Sequence, residues 1–134
     1  MKRLLLFLPV FLVFVQGFAQ KSTNTCDFMY SFEIKKCDEL LSNRDKYATF
    51  AWDFSKLNFT DSNVQIEVVP VLDCWNEIHA KDFRDSFKMK IEEAKGEQKV
   101  YHIKMMAKCF KYRLVISSGA CEKTTEWNYF SFID

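Results

Sequence analysis

Phe110, Tyr112, Leu114 and Ile116 stand at alternate positions with Lys111 and Arg113 between them, and this run constrains the chain more than any other. Successive side chains of a strand point to opposite faces, so the run makes a strand with one apolar and one polar face. A polar stretch over 117–123 follows, with Gly119 inside it, and then Trp127, Tyr129, Phe130 and Phe132. Alternation, a glycine turn and a second aromatic run describe a β-hairpin. A hairpin this apolar on one face is not stable alone in water, so earlier strands must pack against it.

Those strands are legible upstream. Phe28, Tyr30, Phe32 and Ile34 alternate with Met29, Ser31, Glu33 and Lys35, and Ala48, Phe50, Trp52 and Phe54 repeat the pattern. After the turn signal Asp61-Ser62-Asn63, residues 64–72 are rich in β-branched side chains, with Gln65 and Glu67 facing out. Pro70 cannot donate to a ladder and predicts a sheet edge or a bulge. Phe87, Met89 and Ile91, then Tyr101, Ile103 and Met105, predict two more strands joined by a hairpin turn over 93–98, with Gly96 supplying a positive φ. The charged segment 76–85 predicts a short helix, supported by Glu77 and Lys81 one turn apart. About seven short strands with few helical segments predict an all-β fold, an antiparallel β-sandwich formed as a single domain over residues 20–134.

The N-terminus reads as a secretory signal peptide over residues 1–19. Lys2 and Arg3 precede the apolar run Leu4–Val15, and Gly17 and Ala19 place small residues before a cleavage point. The run is too short for a good membrane span, so none is expected after cleavage. This predicts export, to a periplasm or the extracellular space. The 19 basic and 18 acidic residues nearly cancel. A chain without a cationic field is not expected to bind nucleic acid.

In an exported chain the five cysteines read as two disulfides and one thiol. If strands alternate in direction, Cys37, Cys74 and Cys109 fall at one pole of the sandwich and Cys26 and Cys121 at the other. That geometry favours Cys74–Cys109 and Cys26–Cys121, with Cys37 the free thiol and more readily buried than paired. The local pair Cys26–Cys37 is the competing expectation. No Cys-x-x-Cys spacing exists and the two histidines are far apart, so neither zinc nor another metal is expected.

Tyr112-Arg113-Leu114-Val115-Ile116 resembles the next-to-last strand of fibronectin type III and immunoglobulin-like domains. The resemblance implies that Tyr112 is a tyrosine-corner residue and that Met106 takes a position where those domains often carry Leu. It also implies a scaffold for binding rather than an activity.

Little in the chain promises chemistry. His102 lies on the polar face of an expected strand, and His79, Asp82 and Asp85 drift around any helix they share. Glu92 and Glu93 point to opposite sides of a strand, and Ser118-Gly119 lacks the glycines of a nucleophile elbow. Asn58-Phe59-Thr60 matches a glycosylation acceptor. No enzyme and no cofactor are expected. The expected function is a non-catalytic binding module for an unidentified protein or envelope ligand. Its binding residues would be Trp75, His79 and Phe83 near one pole, with Trp127 and Tyr129, which share one face of the last strand while Phe130 and Phe132 share the other, because sandwich-end loops and aromatic side chains carry recognition. An envelope assembly subunit and a carrier of hydrophobic ligands remain as alternatives, and the oligomeric state is open.

Overall fold

The computed structural model describes residues 26–39, 41, 42, 44–75 and 82–133. The signal-peptide reading, the Glu77–Lys81 helix and His79 lie outside them. The order is β1 (Ser31–Lys36), β2 (Tyr47–Asp53), β3 (Ser62–Val71), β4 (Phe87–Ile91), β5 (Lys95–Tyr101), a single helical turn α1 (His102–Met105), β6 (Cys109–Ser118), β7 (Cys121–Thr124) and β8 (Asn128–Ser131). They form two antiparallel sheets, β1-β2-β5 and β4-β3-β6-β7, with β8 also paired to β6. The arrangement is the expected β-sandwich. β7 and β8 line the same side of β6, one after the other, so the eight strands occupy seven strand positions.

The alternation read from sequence sets what lies between the sheets. Ala48 and Phe50 from β2, Val64, Ile66 and Val68 from β3, and Phe110, Leu114 and Ile116 from β6 all face inward and are buried. Phe110 sits at the centre, its ring within 6.1 Å of those of Phe50, Tyr112, Phe130 and Phe132. Burying side chains of this size contributes roughly 1.5–3 kcal/mol each. Tyr112 packs on Phe32 across the sandwich, and burial raises its phenol pKa. Among the described residues its hydroxyl meets no acceptor, so the hydrogen bond of a tyrosine corner is not made.

The disulfides are Cys26–Cys121 and Cys74–Cys109, with Cα separations of 5.8 and 5.6 Å, and Cys37 is free and half-buried. Alternating strand directions had placed these partners at common poles. Pro70 lies inside β3, where the pairing with β4 has already stopped at Val68. Its carbonyl accepts from Phe83 N–H at 2.8 Å on that vacated side, so the missing N–H interrupts no ladder.

Five expectations change. β4 and β5 do not form a hairpin, because β4 pairs with β3 in one sheet and β5 with β2 in the other; residues 92–94 carry the chain between sheets. Gly96 therefore lies within β5 without a positive φ. Its role is space, since a Cβ there would meet the Trp52 indole at 3.1 Å, and that indole is pinned by Nε1–H donating to the Glu93 carbonyl at 2.9 Å. The strand expected over Tyr101–Met105 ends at Tyr101 and turns into α1, which buries Met105 and leaves Met106 exposed at φ 53°. Met105, not Met106, thus fills the apolar position before β6. His102 consequently leaves the solvent face and sets its ring 5.2 Å from that of Phe132.

Candidate functional site

The outward face of the five-stranded sheet is where the polar alternates of β3 and β6 meet. Register places Glu67 opposite Arg113 and Val69 opposite Lys111. Arg113 Nε donates to Glu67 at 2.7 Å, a pair with Glu67 only 14% exposed. Lys111 Nζ lies 2.7 Å from Asp82.

One extra residue aims an aromatic at this row. Thr124 pairs with Val115 and Asn128 with Tyr112, so three residues, 125–127, oppose the two at 113 and 114. This is a β-bulge, and it shifts the phase of the last strand by one. Thr125 holds the bulge. Its N–H donates to the Leu114 carbonyl and its Oγ1 accepts from the Leu114 N–H, each at 2.9 Å. Beyond the bulge, Tyr129 pairs with outward Lys111 and Phe130 with inward Phe110. Trp127 lies over the row, with the Arg113 guanidinium 4.3 Å and Lys111 Nζ 5.0 Å from its ring centre. Cation–π contacts of this kind are worth roughly 0.5–1 kcal/mol or more.

The opposite wall is the segment that leaves β3. The Cys74–Cys109 bridge ties its start to β6, and the bridge pairing of Val71 with Asp82 and the Phe83-to-Pro70 hydrogen bond hold 82 and 83 beside β3. Val69 and Val71 are buried although they face outward. Between this segment and Trp127 runs a groove of about 880 Å³, lined by Glu67, Val69, residues 82–86, Lys111 and Trp127.

Two of the expected binding residues, Phe83 and Trp127, share this groove. Tyr129 is separate, in a small neighbouring pocket beside Cys74 and Cys109. Trp75 is 79% exposed at the pole, its N–H donating to Asp73 at 3.0 Å, and lines no part of the groove. Sequence reasoning missed Glu67, Lys111 and Arg113, and weighed Asp82 only beside His79 and Asp85. Their signal was present in the charged alternates of β3 and β6, but charges on an outward face ordinarily mark solvent alone. Cys37 lies in a different depression, beside Leu41, Tyr47 and Phe132.

The groove lining carries three carboxylates (Glu67, Asp82, Asp85) and two cations (Arg84, Lys111), with Lys111 closed on Asp82 and Arg113, beside the lining, closed on Glu67. Among the described residues no group of histidine, cysteine and carboxylate side chains is arranged to hold a metal. No helix among them is long and apolar enough to cross a membrane. Comparison with known protein families, with curated proteins and with solved structures finds no match in any of the three.

Proposed function

We propose that this chain is an exported, non-catalytic binding module that engages its ligand through the outward groove of the five-stranded sheet. The observation that carries the reading is the bulge at 125–127, which costs a regular strand and sets Trp127 over paired charges beside an exposed Phe83. Bulges that re-aim a side chain are characteristic of sites. Two disulfides support export, because such bridges persist in oxidising compartments.

The sandwich is of the immunoglobulin and fibronectin type III kind in this reading. Strand order supports it, with first, second and fifth strands in one sheet and third, sixth and last in the other, β4 being added at the edge beside β3. A carrier of hydrophobic ligands would need space between the sheets. Phe50, Phe54, Phe110 and Phe132 fill that space, which favours the outward groove.

The test is photo-crosslinking of the exported protein in its own cells. A benzophenone side chain at Arg84 is compared with one at Thr49, on the outer face of the three-stranded sheet. Adducts of discrete mass from position 84 and none from 49 are expected. Equal labelling from both positions, or none from 84, would overturn the reading.

A further inference from the structure

The chemistry of the groove narrows its ligand, on the premise that the groove is the binding site. Lys111 and Arg113 rise from the same face of β6 and both lie against the Trp127 indole. Trp127 is half-buried and lines the groove together with Phe83, which is 44% exposed. Aromatic side chains that line a groove stack on a flat ligand surface.

The polar lining decides what that surface belongs to. The lining holds three carboxylates and two cations, and Arg113 beside it closes on Glu67, so the groove has no strong net field to draw a polyanion or a polycation. Charged and polar groups dominate its wall, which disfavours an acyl chain, since burying them against hydrocarbon leaves their hydrogen bonds unmade. The pairs Glu67–Arg113 and Lys111–Asp82 hold acceptors and donors in fixed directions. A ligand that is uncharged, has flat C–H faces and carries many hydroxyls meets all of these conditions. We propose that the groove binds a neutral carbohydrate chain. A pyranose ring stacks on Trp127. Its hydroxyls donate to Asp85 and Glu67 and accept from Arg84 and Lys111.

Affinity electrophoresis of the mature protein tests this, in gels containing a β-glucan, a xylan, a mannan or an α-glucan, with alginate as the anionic contrast. Wild type is compared with Trp127→Ala, Phe83→Ala and Trp75→Ala, each checked for native circular dichroism. Retardation in at least one neutral polysaccharide is expected. It should weaken roughly tenfold in Trp127→Ala, fall in Phe83→Ala and stay unchanged in Trp75→Ala. Should Trp127→Ala fail to fold, Phe83→Ala carries the comparison. The proposal is overturned by no retardation in any neutral gel, by retardation that survives the groove substitutions, or by preference for alginate. Crosslinking from position 84 without polysaccharide retardation removes the carbohydrate and leaves the binding-module reading standing. Loss of both removes both.

Discussion

Thr125 shows how much one side chain decides. It replaces the missing strand partner of Leu114 at both backbone groups, one through its own N–H and one through its hydroxyl. Thr125→Val keeps the shape and removes the acceptor, leaving the N–H of a buried residue unpaired. Such a loss costs about 1–3 kcal/mol. Urea unfolding should show it, and Thr125→Ser should recover most of it; an unchanged midpoint for Thr125→Val would mean that water replaces the hydroxyl. Asp53, at the end of β2, carries a different prediction. Donation from the Ser55 hydroxyl and N–H, then from Lys95, lowers its carboxyl from 3.8 to about 2. A carboxyl depressed in the folded state stabilises it above the ordinary value. That contribution is lost as pH falls from about 4 toward 2. Asp53→Asn should therefore flatten this part of the stability–pH curve while leaving the neutral-to-alkaline part of its shape unchanged.

At the scale of elements, β5 has room for a tryptophan only because it carries a glycine. Alanine is normally the better strand residue, by roughly 0.5–1 kcal/mol. At position 96 its Cβ would press on an indole that its own hydrogen bond holds in place. Overpacking of this kind costs about 1–3 kcal/mol, so Gly96→Ala is expected to destabilise by about 1 kcal/mol net. Denaturation followed by tryptophan emission measures it, and a gain in stability would show that Trp52 yields freely. The same stretch shows why the expected hairpin was wrong. Two alternating runs separated by a glycine-containing turn look alike whether the second strand pairs with the first or crosses to the opposite sheet. Likewise Tyr101, Ile103 and Met105 alternate, but Met105 reaches the core from a helical turn, a position that alternation alone does not separate from a strand.

The whole molecule is held at both poles. Cys26–Cys121 ties the start of the described chain to the last hairpin, and Cys74–Cys109 ties the groove wall to the start of β6. Replacing Cys74 and Cys109 together by alanine should cost about 3 kcal/mol, chiefly by freeing the unfolded chain. It should also expose 72–75 and 82–86 to protease ahead of the strands. Cleavage that begins in the strands would contradict the wall's dependence on the bridge. The pairing of these cysteines was legible beforehand because it rests on strand direction, which simple counting supplies.

What the sequence determined by itself was local or countable: which alternating runs are strands, Tyr101–Met105 excepted, which faces of the earlier strands turn inward, and which cysteines share a pole. These follow from the two-residue period of a strand and from alternation in direction. What only the tertiary structure decided was the choice of sheet for each strand and the phase of the last one. Glu67 and Arg113 meet across 46 residues, and Trp127 joins them only because the bulge adds one residue opposite 113 and 114. A one-residue shift in register exchanges the inner and outer faces of a strand. Its energy lies in contacts with distant partners, and no local pattern records it.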